Sequence, residues 1–244
     1  MSGKSATVDG PAVREALQRT VDALLAGRRG VRALEAGAGK RTRFRLPPDA
    51  YVVGVDTDPE AIARNLRLDQ RVVADLADYH PTGSGFDLVT CWYVLEHVPD
   101  PGGLLDRLAG WTAPGGLLVL AVPHLHSPKA LVTKLTPHRF HVWFRRRVLG
   151  YRNAGRPGFG PYPTTLRRAI APRPLTRRLA GHGLVPVSQV YFEDAKQARL
   201  RHRLRLTGWR WRAACTLTRV LSLGVLDAGR SEYAAVFQLA QVRR

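Results

Sequence analysis

Apolar residues in the first half of the chain recur at two different spacings. Between residues 11 and 27 they fall on one side of a helix, which Gly10-Pro11 is suited to begin. Short apolar runs follow, and they predict strands at 31–34, 51–55, 71–74, 86–91 and 117–122. Helical patterns at 59–68 and 101–111 lie among these runs, and Pro114-Gly115-Gly116 predicts a turn before the fifth strand. Buried runs that alternate with helices are typical of parallel strands, so the pattern predicts an α/β fold.

The pattern changes after residue 122. Residues 123–172 hold many arginines, prolines and glycines with little periodicity, and they are interpreted as an insertion over the open end of the sheet, with an irregular loop at 156–161. Regular structure resumes with a short helix at 174–180 and a strand at 184–192, and a last strand is expected at 233–241. Between those two strands lies a basic segment that contains tryptophan, residues 195–226.

Composition narrows the class of protein. With 244 residues, 45% of them apolar, the chain is long enough to bury a substantial core. No stretch approaches the roughly 18–20 uninterrupted apolar residues of a membrane span, and the N-terminus has no apolar segment of a signal peptide. The two cysteines, Cys91 and Cys215, form neither a disulfide framework nor a zinc pattern. We therefore expect a reduced, cytoplasmic protein.

The charge of the chain is unevenly distributed. Residues 1–127 carry 14 basic and 15 acidic residues, whereas residues 128–244 carry 24 basic and only four acidic ones, so the net charge of +19 arises in the second half. A nucleotide composition rich in G and C accounts for arginine over lysine but not for this asymmetry. A field of one sign attracts anionic partners such as phosphate, nucleic acid or acidic lipid.

A glycine pair and three acids mark the ends of the first three predicted strands. Glu35 and the glycines Gly37 and Gly39 follow the first strand, Asp56 ends the second and Asp75 ends the third. Glycines let the backbone approach a bound nucleotide, and an acid at the end of the second strand can accept both ribose hydroxyls. Asp56 lies 19 residues past Gly37, close to the roughly 20-residue spacing expected of such a site.

A nicotinamide-binding site is the competing interpretation of these glycines. Its Gly-x-Gly-x-x-Gly pattern needs glycine at position 42, where Thr42 stands. Such a site also has no use for an acid two residues before the first glycine. Glu35 holds that position, from which its carboxylate can meet the ammonium group of a ligand.

As a set, several segments resemble the motifs of class I S-adenosylmethionine-dependent methyltransferases. They are residues 35–39, 53–59, 74–75, 86–89, 94–101 and 113–116. The Leu-Glu-His-Val sequence at 95–98 is similar to that of small-molecule methyltransferases, including the quinone-biosynthesis type. The resemblance covers about residues 30–122, with one departure: Arg41 stands where many members carry a third glycine.

The resemblance implies a doubly wound, mostly parallel seven-stranded sheet of the Rossmann-like kind, with the last strand antiparallel. We expect a single domain, 1–244. Its parts would be an N-terminal helix (1–29), a cofactor-binding half (30–122), a substrate-side insertion (123–172) and a C-terminal half (173–244) that holds the basic segment.

The resemblance also implies S-adenosylmethionine as the cofactor and a set of residues that bind it: Glu35, Gly37, Gly39, Asp56, Thr57, Asp75, Leu76, Trp92 and Tyr93. Glu35 would orient the methionine amino group, and Asp56 would bind the ribose. Asp75, with the residue after it, would hold the adenine edge, while the two aromatic residues after the fourth strand would wall the site. Helix capping is the alternative role for these acids, and Asp58, ahead of a proline, fits that role better than Asp56.

A sulfonium methyl group is already activated, so the protein mainly aligns an in-line displacement. A hydroxyl acceptor also needs a base for its proton, and His97 is the first candidate, since it follows the strand end nearest the methyl group. His124 and His126, just past the fifth strand, come next, and His138 and His141 lie in the insertion. Packed or surface histidines are the alternative. Glu96 and His97 are adjacent, and two such residues alone do not make a tetrahedral site, so no metal is predicted.

The acceptor is narrowed by two features. Enzymes that methylate exocyclic base nitrogens resemble one another in an Asn/Asp-Pro-Pro-aromatic motif after the fourth strand. This chain has Cys91-Trp92-Tyr93-Val94 there, which argues against methylation of a base nitrogen. Residues 199–212 combine arginine with leucine and tryptophan, and as one helix they would form the amphipathic surface of an interfacial helix. A solvated helix packed on the sheet edge is the alternative, and nucleic acid binding is a third interpretation.

These features predict methyl transfer to a small-molecule or lipid- or glycan-linked, anionic acceptor at oxygen. An RNA-directed methyltransferase and an inactive cofactor-binding scaffold are the alternatives. We further predict that residues 195–226 form a basic helical hairpin that makes peripheral contact with anionic membrane, at its cytoplasmic face.

Overall fold

Seven strands form one sheet in the computed structural model, which describes residues 10–148, 150–156, 162 and 164–241. The strands are β1 (Arg32–Ala36), β2 (Tyr51–Asp56), β3 (Gln70–Val73), β4 (Phe86–Trp92), β5 (Thr112–Pro123), β6 (Leu184–Phe192) and β7 (Glu232–Leu239). Their order is β3-β2-β1-β4-β5-β7-β6, and β7 alone runs opposite to the other six strands. The expected mostly parallel sheet with an antiparallel last strand is confirmed.

Helices cover both faces of the sheet. They are α1 (Gly10–Leu25), α2 (Pro59–Ala63), α3 (Pro101–Trp111), α4 (Pro128–Leu135), α5 (His138–Arg147), α6 (Pro172–Gly181), α7 (Ala195–Arg203) and α8 (Gly208–Leu221). Leucines of α3 and α6 pack into a core on one face, and the apolar stripe of α1 packs with α2 into a core on the other. The helices α1, α2, α3 and α6 bury apolar residues against the sheet, two on each face, which is the doubly wound arrangement.

The strand order places a crevice beside β1. β2 lies on one side of β1 and β4 on the other, so the connections that leave these strands diverge to opposite directions. Ala36 at the end of β1 pairs with Val55 and with Cys91. The carboxyl ends of the three strands therefore meet at one rim, where ligands bind in open α/β sheets.

Two local predictions in the first half need correction. The helix expected at 59–68 is shorter, because the buried side chain of Asn65 accepts a hydrogen bond from the backbone N–H of Arg67 and ends the regular pattern. The predicted turn at Pro114-Gly115-Gly116 lies inside β5, where the register against β4 shifts between Phe86 and Leu88. The glycines thus mark a bulge in a long strand.

The insertion is more regular than its sequence suggested. Two helices, α4 and α5, occupy its first half, and the predicted irregular loop at 156–161 lies, apart from Arg156, outside the described residues. Ser127 caps α4 by accepting a hydrogen bond from the N–H of Ala130 at 3.1 Å. The helix expected at 174–180 begins earlier, at Pro172, a residue that suits the first turn of a helix.

The basic segment forms two helices, α7 and α8, which bears out the two helices of the predicted hairpin. The single helix pictured over residues 199–212 is wrong. Arg205 adopts a left-handed backbone conformation with φ of 54°. The N–H groups of Arg205 and Leu206 donate to the carbonyls of His202 and Arg201, which closes a Schellman motif and ends α7. No described helix of the chain is long and apolar enough to span a membrane.

Candidate active site

The loop after β1 is held tightly against its neighbours. The N–H groups of Gly37 and Ala38 both donate to the carbonyl of Val55, at 2.8 and 3.0 Å. Gly37 has φ of +78°, and a Cβ at this position would lie 2.2 Å from Cγ2 of Val94. Only glycine fits a site that combines this backbone with this contact, so the loop after β1 rests directly on the loop after β4.

Asp56 joins this loop to the end of β2. Its carboxylate accepts hydrogen bonds from the N–H of Gly39 at 2.7 Å and from the N–H of Asp58 at 2.9 Å. Gly39 also has a left-handed backbone, but nothing lies within 4 Å of where its Cβ would be. The rim therefore offers open space beside a carboxylate that keeps further lone pairs for hydroxyl groups.

Glu35 lies below the glycines, inside the sheet. It is 3% exposed, and its Oε1 accepts a hydrogen bond from the N–H of Arg43 at 3.2 Å. Burial raises the pKa of Glu35 to about 7, against the opposing effect of the Arg43 N–H. The carboxyl group is thus poised near neutral pH, and a cationic ligand group would favour its ionised form.

Asp75, the third acid of the predicted cofactor site, and Asp58, the predicted helix cap, both bond to nearby backbone N–H groups. Asp58 caps α2 by accepting from the N–H of Ala61 at 3.0 Å, as its position before a proline predicted. Asp75 is exposed and accepts from the N–H of Ala77 at 2.8 Å, which is a turn-stabilising bond. Leu76 is buried in the core, and Thr57 is exposed at the rim.

Trp92 and Tyr93 lie at the end of β4, half buried and edge-to-face with their ring centroids 5.9 Å apart. Trp92 also contacts the ring of Phe44 edge-on. Tyr93 has φ of 59°, a conformation that is uncommon for a bulky residue and that is concentrated at functional sites. Burial, together with the negative charge of the nearby Glu232 at the start of β7, raises the pKa of the Tyr93 hydroxyl.

His97, the first candidate base, lies in the loop after β4 with its side chain 31% exposed. Its Nε2 lies 3.9 Å from Oε1 of Glu96, and its ring contacts that of Tyr162 edge-on. Glu96 is buried at 3% exposure, and its Oε2 has no hydrogen-bond partner among the described residues. Burial, together with the negative charge of Glu232, raises the pKa of Glu96 to about 8.

A cluster of charged side chains at this rim, with Glu232 buried and Lys129 partly exposed, went unrecognised in the sequence. The ammonium group of Lys129, at the start of α4, donates to Asp194 at 3.0 Å and to Glu232. Glu232 is 2% exposed, and its Oε2 also lacks a partner among the described residues. The residues come from distant parts of the chain. The sequence offered one signal. Its second half holds only four acidic residues, and two of them, Asp194 and Glu232, belong to this cluster.

His124, the second candidate base, follows β5 and is buried. Its ring lies edge-on to those of His126 and Tyr191, and its Nδ1 has no partner in the described part of the chain. Burial and the neighbouring His126 lower the pKa of His124 to about 4. The imidazole is therefore neutral at pH 7 but a weak base. The described residues contain no group of three or more side chains suited to hold a metal ion.

Comparison with known proteins now decides the family. The family described as "Methyltransferase domain" matches residues 12–189, which is most of the chain. This chain belongs to that methyltransferase family. It carries a methyltransferase domain of class I, whose cofactor is S-adenosylmethionine.

Curated relatives of this methyltransferase match only part of it. A ubiquinone biosynthesis O-methyltransferase of Psychrobacter cryohalolentis is 34% identical over 123 residues, which cover 46% of this chain and 47% of the relative. A protein of the same description from Xanthomonas oryzae is 40% identical over 106 residues, covering 38% and 43%. The matches therefore span less than half the length of these relatives.

Solved structures extend the likeness to nearly the whole methyltransferase. The N-methyltransferase NodS of Bradyrhizobium japonicum aligns with a TM-score of 0.50 at 17% identity, covering 95% of this chain and 98% of that one. An S-adenosylmethionine-dependent methyltransferase of Mesorhizobium loti aligns at 0.52 and 17% identity, covering 90% and 96%. At such identities the likeness shows the shared fold.

Proposed function

We propose that this methyltransferase transfers the methyl group to an oxygen of a small-molecule or lipid- or glycan-linked acceptor that carries negative charge. The observation that carries the proposal is the convergence of Glu35, the Gly37–Gly39 loop and Asp56 at one rim, next to the polar cluster of Glu96 and Glu232. The curated relatives, described as ubiquinone biosynthesis O-methyltransferases, support an oxygen acceptor.

The residues of the rim fit the proposed cofactor. Open space at Gly39 beside the Asp56 carboxylate suits a ribose with two hydroxyls, and the buried Glu35 suits an ammonium group. Asp75 with Leu76 is proposed for the adenine edge, and Trp92 with Tyr93 for the wall. Thr57, exposed beside Asp56, completes the proposed set. Bound S-adenosylmethionine supplies an activated methyl group, and these residues hold it in line with the acceptor.

Asp56→Ala should weaken binding of S-adenosylhomocysteine at least tenfold. Loss of a charge-assisted hydrogen bond costs roughly 1.5–3 kcal/mol, and this variant also frees the N–H of Gly39. Isothermal calorimetry measures the change, and Asp78→Ala is the matched control, since Asp78 is exposed in the turn after β3 and lies outside the proposed cofactor set. Unchanged affinity in the Asp56 variant would contradict the assignment of the ribose.

The acceptor class is tested by a labelled-methyl assay over lipid, glycan, small-molecule and RNA fractions of a cell extract. Label in the lipid or small-molecule fraction supports the proposal. Label mainly in RNA favours the alternative of an RNA-directed enzyme, for which the arginine-rich second half is the relevant observation. Cofactor binding without methyl transfer to any fraction would favour the alternative of an inactive cofactor-binding scaffold.

We also propose that the α7–α8 segment makes peripheral contact with an anionic membrane. Of its seven arginines, Arg201 pairs with Glu193 and Arg219 with Asp227, while no described carboxylate forms an ion pair with the other five. Apolar side chains stand out from the same segment: Leu204, Trp209, Leu217, Val220, Leu221, Leu223 and Val225. Exposed apolar groups among arginines are complementary to an acidic bilayer.

The two tryptophans of α8 allow insertion into a membrane to be distinguished from packing within the protein. Trp209 is 69% exposed, whereas Trp211 is half buried beneath the guanidinium of Arg201, 4.9 Å from the ring centroid. Trp209→Ala should therefore weaken co-sedimentation with phosphatidylglycerol-containing vesicles several-fold, and Trp211→Ala should act mainly on the stability of the segment. Each arginine near the surface contributes about 1 kcal/mol, screened within about 10 Å, so high salt should release the protein.

The membrane proposal fails if neither neutral nor anionic vesicles bind at low salt. Binding to RNA with a steep salt dependence would instead identify nucleic acid as the partner of the same arginines.

A further inference from the structure

Glu96 presents one carboxyl oxygen that the protein leaves unsatisfied. The residue is 3% exposed, and Oε2 has no partner among the described residues, whereas Oε1 faces Nε2 of His97 at 3.9 Å. Buried polar atoms in native proteins are nearly always hydrogen-bonded, so an unpaired one points to a ligand group or a chemical role. The two oxygens thus face different surroundings, one buried and one toward a partly exposed imidazole.

Glu96 lies in the loop after β4, which borders the proposed cofactor site. It is two residues after Val94, whose side chain touches Gly37 of the loop after β1. The insertion reaches the same place, because the N–H of Thr165 donates to the carbonyl of Glu96. Glu96 therefore stands between the proposed methyl-donor site and the part of the chain proposed to cover the acceptor.

We propose that Glu96 carries the acceptor's proton to His97, which passes it to water; this inference rests on the proposed transfer to oxygen. The hydroxyl proton goes to Oε2 of ionised Glu96, and the freed oxygen electron pair forms the bond to the methyl carbon. The electrons of the carbon–sulfur bond stay on sulfur, which becomes a thioether. Rotation of the carboxyl group then turns the protonated oxygen toward His97, and the proton leaves through Nε2 of His97, whose side chain reaches solvent.

The 3.9 Å separation must shorten by about 1 Å for this last step. Catalytic hydrogen bonds are often long without ligand and tighten when the substrate binds. An imidazole is suited to the outer position, because its unperturbed pKa of about 6.5 lets it accept and release a proton near neutral pH.

Charged and titratable groups from four elements face Glu96. Cys91 lies on β4, Tyr93 and His97 lie on its own loop, Lys129 begins α4 and Glu232 begins β7. Burial has the largest effect on Glu96; Glu232 also disfavours its ionised form, and Lys129 favours it. Glu232 is itself held by Lys129, so it acts as a fixed charge that adjusts the proton affinity of its neighbour.

The test uses the full chain, labelled S-adenosylmethionine and the extract fraction that takes the most label from the wild type. Glu96→Gln and His97→Gln should each lower kcat at least about 100-fold, the contribution typical of general acid–base groups. The double variant should lose no more than either single one, because the two residues act in series. Affinity for S-adenosylhomocysteine should stay within twofold in all three, which also shows that the site has folded.

Two further variants separate this role from a structural one. Glu232→Gln keeps a hydrogen-bond acceptor but removes a negative charge, so the rising limb of the kcat/KM profile should shift to lower pH. Glu96→Asp, which keeps the acid, should regain part of the loss. Glu193→Gln is the matched control, because Glu193 is equally buried but pairs with Arg201 outside this cluster, and it should stay within about twofold.

The inference is overturned if Glu96→Gln keeps wild-type kcat, if the two losses multiply, or if the Glu232 variant leaves the pH profile in place. In those cases cofactor binding and methyl transfer by the wild type still stand, so the proposed function survives. A wild-type protein that labels no fraction would contradict both this inference and the proposed function.

Discussion

Gly37→Ala should lower the free energy of unfolding by about 2–5 kcal/mol and abolish measurable binding of S-adenosylhomocysteine. A left-handed backbone costs an alanine about 1–2 kcal/mol, and forcing a methyl group into a packed contact costs about 1–3 kcal/mol more. The methyl would lie 2.2 Å from Cγ2 of Val94, so the loop after β1 must move away from the loop after β4. Chemical denaturation and calorimetry measure the two effects.

Gly39→Ala is the matched control for this change. Gly39 shares the left-handed backbone, with φ of +54°, but its Cβ position is open. Only the backbone cost of about 1–2 kcal/mol should remain in its stability. In the Gly37→Ala background, Val94→Ala should restore part of the stability, since it removes the clash but not the backbone strain. Equal losses in the two glycine variants would show that the contact with Val94 is unimportant.

The second large effect concerns pH. The folded protein should lose stability as pH rises from about 5 to about 8, because Glu96 holds its proton in the folded state up to a pKa of about 8 and releases it near 4.3 when unfolded. A group whose pKa is raised on folding binds more protons in the folded state, so its contribution is complete below the unfolded pKa and is lost through the folded one. The loss is at most about 1.4 kcal/mol per pH unit.

Glu96→Gln should remove this part of the pH dependence. The variant cannot ionise at this position, so its stability relative to the wild type should rise by roughly 2–3 kcal/mol between pH 5.5 and pH 8. Glu35, whose pKa is also raised, contributes in the same direction and remains in both proteins, so the difference isolates Glu96. Glu60→Gln, at an exposed position of α2, should show no such difference. Parallel curves for wild type and Glu96→Gln would contradict a protonated, buried Glu96.

The fold was largely predictable from the chain itself. Buried parallel strands need apolar runs, and crossover helices need an apolar stripe, so local composition already encodes both. The order of β1 to β5 follows from this alternation together with the resemblance to methyltransferases. Helix lengths were less predictable, because Asn65 ends α2 through side-chain bonds that depend on its position against Ala38.

The cofactor side of the site was also predictable, since its residues follow strand ends at fixed spacing. Glu35, Gly37 and Asp56 meet at one rim because parallel strands bring their carboxyl ends together. Their ligand roles remain predictions. The sequence could not reveal that Asp56 also binds the glycine loop, because that bond forms only once β1 and β2 are in register.

The acceptor side was decided by tertiary structure alone. The sequence singled out histidines there, whereas the fold brings together Tyr93, Glu96, Lys129 and Glu232 from three distant segments. Sequence periodicity does not predict their pairing, because the pairing depends on the antiparallel strand β7 lying beside β5 and on the insertion folding over the rim. Sequence therefore determined the scaffold and the proposed donor rim through local rules, and only long-range packing determined which charged groups lie beside that rim.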